Sequence, residues 1–117
     1  MAETINIELV TPSEMLFADN ADMVIVPGSE GIFGVLPRHA AILANLQQGE
    51  ISVYNNGSIT RRFFIDGGVA DVLPERVIIL AERAVDLDAV SIQQLEEQVV
   101  NASETEASFV MAVKKAI

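Results

Sequence analysis

One histidine and three glycines are the residues of this sequence that most readily suggest chemistry. The stretch GSEGIFGVLPRHA, residues 28–40, places Gly28, Gly31 and Gly34 three residues apart, followed by His39, the one histidine of the chain. Glycines near one another can shape a phosphate-binding loop, and a histidine can act as a general base near neutral pH. The stretch therefore raises two candidates, a phosphate loop and a histidine-dependent active site.

The phosphate-loop interpretation meets two objections. The spacing G-x-x-G-x-x-G is neither the dinucleotide fingerprint nor the Walker loop, and no lysine occurs before residue 114. Both phosphate loops also lead directly into a helix, whereas Val35-Leu36-Pro37 follows here and a pre-proline residue favours extended backbone. The pattern favours glycines that shape a tight loop between strands.

The other reactive groups do not form a catalytic pattern. Ser29 lacks the G-x-S-x-G setting of a serine nucleophile, and a single histidine with scattered carboxylates lacks the spacing of a metal site. Asp66 and Asp71 are candidate paired carboxylates, but we expect them to point outwards at strand ends. Arg61-Arg62 is a candidate anion site, and we expect these arginines to lie near acidic neighbours. The sequence predicts no catalytic residue, no metal site and no cofactor.

Composition excludes several classes of function. The 117 residues are 50% hydrophobic and contain 17 acidic and 7 basic residues, which gives a net charge of −10. A nucleic-acid or anionic-membrane binder needs a basic face, so we expect neither activity. The absence of cysteine excludes disulfides and thiolate zinc sites. No signal peptide is expected. The sequence contains no run of about 18 apolar residues, so it predicts no membrane span.

The hydrophobic pattern divides the chain into two parts. All glycines and prolines lie within residues 12–74, where apolar residues alternate with a period of two. Asn56-Gly57 and Pro74-Glu75 each separate two such runs and are typical of tight hairpin turns. Pro27-Gly28 is expected to end the apolar run that begins at Met23. This part predicts an antiparallel sandwich or barrel.

The second part has the period of a helix. Ile92, Leu95 and Val99 form one apolar stripe, with Asp86 or Asp88 as the candidate N-cap. SETE, residues 103–106, is a capping-box pattern that begins a second helix. The apolar face of that second helix comprises Phe109, Val113 and Ala116. We expect two short helices that form a hairpin.

Taken together, these pieces resemble one family, the epsilon subunit of the F-type ATP synthase, which is called delta in mitochondria. The matching segments are LVTPSEMLF (9–17), ADMVIVPGSEGIFGVLPRHAAIL (21–43) and FIDGGVADVLPERVIILAERA (64–84). The resemblance covers nearly all of residues 4–88, and the remainder matches only in kind. It implies a mainly β fold, with a ten-stranded antiparallel β-sandwich over residues 1–85 and a short C-terminal α-helical hairpin over residues 86–117.

The resemblance also implies a role that involves no bond chemistry. In the family this subunit is part of the rotor in the central stalk. It links the gamma subunit to the c-ring of the membrane sector and so couples proton translocation to ATP synthesis. The implied location is the cytoplasmic face of the bacterial inner membrane, as a peripheral protein without direct membrane insertion.

Particular residues acquire expected roles from their positions in the family. The loop expected to face the c-ring comprises Ser29, Glu30, Gly31, Ile32 and Phe33. Glu30 is suited to pair with basic groups of the ring loops, and an exposed pair of this kind sets register more than affinity. Arg38 and His39 are expected to face gamma. Lys114 and Lys115 form a candidate regulatory tail, through which the C-terminal helices would reach the alpha and beta subunits.

The sequence departs from the family pattern at three places. Arg38 occupies a position that is often glycine in the family, and the helical hairpin is shorter than usual. Some members bind ATP through a motif like Leu-Asp-x-x-Arg-Ala, whereas here Ser91 and Ile92 replace the arginine and alanine. These departures argue against ATP binding and against inhibition of ATP hydrolysis by the tail.

Two alternatives are kept beside the rotor subunit. A small-ligand module would fold the hairpin on the sandwich and bind a regulatory nucleotide. A free-standing sandwich enzyme would use His39, although the sequence offers it no partner groups. ATP titration distinguishes the first alternative, and lost catalysis with unchanged stalk assembly in His39→Ala distinguishes the second.

Overall fold

The computed structural model describes residues 4–89, 109 and 111–113. Eight strands in this part of the chain form one continuous hydrogen-bonded sheet, in the order β2-β1-β7-β6-β5-β3-β4, with β8 paired to β6. The strands are β1 (Ile5–Val10), β2 (Met15–Ala21), β3 (Met23–Gly28), β4 (Gly31–Val35), β5 (Ile42–Asn55), β6 (Ser58–Leu73), β7 (Arg76–Ala81) and β8 (Ala84–Asp86).

The sheet folds over into two layers because β5 and β6 are long enough to belong to both. The first layer contains β2, β1 and β7 with residues 68–73 of β6 and 42–46 of β5. The second layer contains β8, β3 and β4 with the other halves of β6 and β5. Buried side chains from both layers form one hydrophobic core. The predicted mainly β sandwich is confirmed.

Two particulars of the ten-stranded antiparallel prediction are wrong. The described residues form eight strands, since β5 and β6 each run from one layer to the other without a break. In addition, β1 and β7 pair in parallel, from Asn6 opposite Arg76 to Val10 opposite Leu80. The two-residue turn before β7 makes β7 run antiparallel to β6. Because β1 runs in the same direction as β7, these two strands pair in parallel.

Alternation along β1 supplies one wall of the core. Ile5, Ile7 and Leu9 are fully buried, whereas the residues between them are partly exposed. Each buried aliphatic side chain of this kind contributes about 1.5–3 kcal/mol. The period-two pattern of the sequence therefore identified the inward face of this strand correctly.

The two predicted hairpin turns are present. Asn56 and Gly57 have φ angles of 55° and 79°, which are the positive values that a type I′ turn requires. They join β5 to β6 with Asn55 opposite Ser58. Pro74 and Glu75 join β6 to β7, with Leu73 opposite Arg76 on either side.

Pro27 and Gly28 end β3, as the sequence predicts, and the chain turns at Ser29 and Glu30. Both residues still belong to the strand and pair with Ile32 and Gly31 of β4. On the other side of β3, the register with β5 shifts between Ile25 and Gly28. A proline has no backbone N–H to donate to a neighbouring strand. The register shift places Pro27 where the hydrogen bonding between β3 and β5 is already interrupted.

Gly67 and Gly68 lie where β6 passes from the second layer to the first. Their φ angles are 79° and 150°, which side-chain-bearing residues rarely adopt. A Cβ atom on Gly68 would lie 2.1 Å from the carbonyl oxygen of Leu80 in the neighbouring strand. The double glycine therefore permits both the bend and the close approach of β7.

The C-terminal helical segment, residues 109 and 111–113, packs on the sandwich. Phe109 and Val113 are buried against Phe64 and Leu87, and they lie on one face as the sequence predicts. Asp86 accepts a hydrogen bond from the backbone N–H of Asp88 at 2.9 Å, and the helix that it is predicted to cap lies outside the described residues. The rest of the predicted hairpin, including Ile92, Leu95, Val99 and Ala116, lies outside the described residues.

We expect Gly68→Ala to destabilise the protein by about 3 kcal/mol, because a strained φ is combined with a backbone clash. Gly57→Ala is the matched control, since its φ is also positive but its Cβ would meet nothing within 4 Å. The control should cost only about 1 kcal/mol. Urea unfolding followed by circular dichroism measures both values. Equal losses would show that the approach of β7 does not depend on Gly68.

Candidate functional site

The glycine-rich stretch forms a tight turn and not a phosphate loop. Ser29 and Glu30 are the two turn residues between β3 and β4, and Gly28 pairs with Gly31 across them. A Cβ atom on Gly28 would lie 2.5 Å from the carbonyl oxygen of Gly31, which explains the glycine there. A strand follows the turn, so no helix N-terminus is available for a phosphate.

A groove with both polar and apolar lining lies beside this turn. The predicted five-residue loop is shorter than expected, because Gly31, Ile32 and Phe33 already belong to β4. Ile32 is 74% exposed, and Leu43 of β5, which also lines the groove, is 75% exposed. Phe33 instead packs against the core, and Ser29 donates its backbone N–H to the Asn45 carbonyl at 2.9 Å. The turn is thus anchored to β5 and presents Ile32 outwards.

The outer face of the first layer carries an apolar row. Strand register places Met15 opposite Val10, Val10 opposite Leu80, and Leu80 opposite Val69. Leu80 is 50% exposed and Met15 is also exposed, while Val10 and Val69 are half-buried. We call this row, together with Ile78 and with Leu43 of β5 on the same outer face, the first-layer face. Residues of its kind usually mark an interaction surface when they are contiguous.

The first-layer face continues into the groove beside the turn. Ile78 lies opposite Asp71, and Asp71 lies opposite the exposed Leu43. Glu8 next to Ile78 pairs with Arg76 at 3.5 Å. Leu43 therefore belongs to both surfaces, which form one bent patch around the first half of β5.

The outer face of the second layer is covered, in contrast. Phe64 and Leu87 lie beneath Phe109 and Val113, with the rings of Phe64 and Phe109 5.9 Å apart. The Arg83 guanidinium lies 5.2 Å from the centre of the Phe109 ring and pairs with Asp66 at 2.9 Å. The C-terminal helical segment thus covers Phe64 and Leu87, whereas Leu80 and Met15 of the first-layer face stay exposed among the described residues.

Arg38 and His39 lie at the end of the first layer. The backbone N–H of Arg38 donates to the Pro74 carbonyl in the β6–β7 turn at 2.7 Å. His39 is half-buried, and its Nδ1 lies 2.8 Å from the carbonyl oxygen of the next residue, Ala40. The described residues bring no serine or carboxylate to the imidazole, and they contain no cluster able to hold a metal ion.

The other sequence candidates have structural partners. Asp66 and Asp71 lie within β6 and not at strand ends, which corrects that expectation. Asp66 accepts from Gln48 at 3.1 Å and pairs with Arg83, so it is not paired with Asp71 as a catalytic dyad.

Arg61 and Arg62 have acidic partners, as the sequence predicts. Arg61 pairs with Asp86, and Arg62 pairs with Glu50. The hydrogen bond that Arg62 donates to Glu50 raises the pKa of Arg62 above its usual value. Both arginines therefore stabilise the second layer and do not form an anion site.

Several residues of the bent patch were not identified from the sequence, namely Met15, Leu43, Val69 and Leu80. Their periodicity signals a strand, but it does not reveal which face of that strand is left uncovered. Ser91, Ile92, Lys114 and Lys115 lie outside the described residues. Within the described part of the chain, no helix has the length and apolar character needed to cross a membrane.

Comparison with known proteins gives consistent matches. Residues 4–87 match the family model of the ATP synthase delta/epsilon chain, beta-sandwich domain. A protein of Rhodospirillum rubrum named ATP synthase epsilon chain is 39% identical over 128 residues, which cover 100% of this chain and 96% of the relative. A protein of the same name from Granulibacter bethesdensis is 39% identical over 102 residues, or 87% of this chain and 75% of the relative.

Solved structures share the fold. A chain in the Euglena gracilis mitochondrial ATP synthase, in a structure containing F1 and the c-ring, superposes with a TM-score of 0.68 at 22% identity. The match covers 94% of this chain and 74% of that chain. A chain in the central stalk and c-ring of the Tetrahymena thermophila mitochondrial ATP synthase gives a TM-score of 0.61 at 17% identity, covering 96% and 89%.

The backbone of Arg38 suggests a stability test. Its φ of 65° is left-handed, which costs a residue with a side chain about 1–2 kcal/mol but costs glycine little. We therefore expect Arg38→Gly to be more stable than Arg38→Ala by about 1 kcal/mol. Both variants lose the same side-chain contacts, so their difference in urea unfolding isolates the backbone. Equal stability would show that the loop relaxes to a negative φ.

Proposed function

The chain belongs to the family of ATP synthase epsilon chains, which are non-catalytic subunits of that complex, and we propose that it acts in the rotor by joining gamma to the c-ring. Proton translocation would then be coupled to ATP synthesis through two protein interfaces of this chain. Solved relatives of the fold come from assemblies that include the central stalk and the c-ring, which supports this assignment.

The first-layer face, left uncovered by the described residues, is the observation that carries the proposal. It presents Leu80 and Met15 to solvent beside the half-buried Ile78, while Phe64 and Leu87 on the opposite outer face are covered by Phe109 and Val113. Burying such aliphatic surface against a partner is favourable at about 25 cal/mol per Å² before the costs of association. We assign this face to gamma, with Arg38 and His39 at its end beside the β6–β7 turn.

The turn and its groove fit the c-ring. Ser29, Glu30 and Gly31 project at the tip, and Ile32 and Leu43 supply adjacent exposed apolar area. Glu30 would pair with basic groups of the ring loops and set register, because an exposed ion pair contributes little affinity. Phe33 supports the tip from the core side and would not itself reach the ring.

The continuity of the two surfaces matches this role. Leu43 belongs to both, so gamma and the c-ring would meet the same half of β5. A subunit that passes torque between two partners benefits from contacts on one stiff element, since β5 is hydrogen-bonded to β6 along nearly its whole length.

We propose the division of labour that the sequence predicts, with residues 1–85 binding gamma and the c-ring and residues 86–117 forming a separate C-terminal unit. Lys114 and Lys115 would provide its contact with alpha and beta. As a peripheral subunit, the chain would lie on the cytoplasmic face of the bacterial inner membrane.

We expect Leu80→Asp to weaken binding to purified gamma by about tenfold or more, because it places a charge in the centre of the first-layer face. Ile59→Asp is the matched control, since Ile59 is similarly exposed at 45% but lies near the β5–β6 turn of the second layer. Titration of gamma with each variant measures the dissociation constants. Equal weakening by both variants would contradict the assignment of gamma to this face.

We expect Ile32→Asp to reduce proton pumping per ATP hydrolysed in the reconstituted complex, because the charge disturbs the ring-facing groove. The free energy of unfolding should change by less than about 0.5 kcal/mol, since Ile32 is largely exposed. Ile59→Asp again serves as control for added charge. A parallel loss of folding stability and coupling would assign Ile32 to the fold and not to the ring interface.

A further inference from the structure

The tip of the β5–β6 hairpin carries an unusual pair of residues. Asn56 and Gly57 form the only Asn-Gly sequence in the chain, and both are exposed. The backbone N–H of Asn56 donates to a carboxylate oxygen of Asp22 at 2.7 Å. Within the described residues, the side-chain amide of Asn56 has no hydrogen-bond partner.

We propose that Asn56 is a site of spontaneous deamidation, in which its side chain reacts with the backbone of Gly57. The backbone nitrogen of Gly57 loses its proton to base and forms a bond to Cγ of Asn56. The bond from Cγ to Nδ2 breaks, and the amide leaves as ammonia after taking a proton from water. Water then opens the resulting cyclic imide at either carbonyl, which yields aspartate or isoaspartate without any redox change.

Two features of the turn favour this reaction at Asn56. Gly57 has no side chain to shield its backbone nitrogen, and nothing lies within 4 Å of the position that a Cβ would occupy. The strand pairing ends at Asn55 and Ser58, so the nitrogen of Gly57 lies in the turn outside the β ladder. The nucleophile and the amide carbon are therefore both accessible to water and base.

The chain contains two internal comparisons. Asn55 is followed by a residue with a side chain, and its own amide donates to Thr60 at 3.1 Å. Asp66 precedes Gly67, but it is held by Arg83 at 2.9 Å and by Gln48 at 3.1 Å inside a strand. Neither residue combines an exposed, unbonded side chain with an accessible glycine nitrogen as Asn56 does.

Deamidation would change the turn that it occurs in. A new carboxylate at position 56 would lie close to Asp22, and like charges at short range repel. Isoaspartate also adds one carbon atom to the backbone of a two-residue turn, which the register of Asn55 with Ser58 does not accommodate. The product should therefore loosen this end of the second layer. Asn55, the last residue of β5, lies ten residues along that strand from Asn45, which contacts the Ser29–Glu30 turn.

The test is incubation of the folded full-length chain at neutral and mildly alkaline pH, followed by peptide mapping with mass spectrometry. We expect amide loss at Asn56, faster at the higher pH because the attacking nitrogen must be deprotonated, with Asn55, Asn20 and Asn45 retained. Labelling with an isoaspartyl methyltransferase should locate the isoaspartate product at the same position.

Two variants keep the result interpretable. Gly57→Ala should slow the loss by shielding the nitrogen, and Asn56→Gln should abolish it under the same conditions because the ring would need one more atom. The Gln variant leaves Gly57 and its φ unchanged, so it serves even if alanine disturbs the turn. A loss of the Asn56 amide that is no greater than the loss of the Asn55 amide would overturn the proposal.

Discussion

The continuous ribbon of β5 and β6 is the constraint on which the rest of the structure depends. These two strands pair along nearly their whole length and change layer together, near Leu46 and Gly68. Because β7 and β8 pair with β6, β3 pairs with β5, and the remaining strands attach through β7 and β3, the bend decides which strands face each other across the core. The positive φ angles of Gly67 and Gly68 make the bend possible. Because Gly68 has no Cβ atom, the backbone of Leu80 in β7 can lie close to β6 at the bend.

The bend also creates the asymmetry from which function is inferred. Phe63 faces the core, and its neighbour Phe64 faces outwards, where Leu87 and the C-terminal helical segment cover it. In the first layer the outward residues receive no such cover from the described part of the chain, and Leu80 and Leu43 stay exposed. A rotor subunit needs such a surface, since its work is to hold partners and not to transform a substrate.

The functional interpretation also explains why the reactive residues of the sequence lack catalytic partners. His39 contacts a neighbouring backbone carbonyl, the arginines pair with carboxylates, and the glycines permit a tight turn and close strand approach. The glycine that the family resemblance leads us to expect at the position of Arg38 would have a physical reason, because the backbone there is left-handed. The backbone conformation, and not a catalytic role, therefore accounts for the distinctive residues of the stretch 28–40.

The sequence by itself determined the family, the strands with clear alternation such as β1, and the turns at Asn56-Gly57 and Pro74-Glu75. These features are local, because side-chain alternation and turn chemistry act over a few residues. The parallel pairing of β1 with β7 and the exposure of Leu80 were decided only by the tertiary structure. Each depends on which distant strand or helix lies alongside, and a period of two distinguishes the faces of a strand without saying which of them another element will cover.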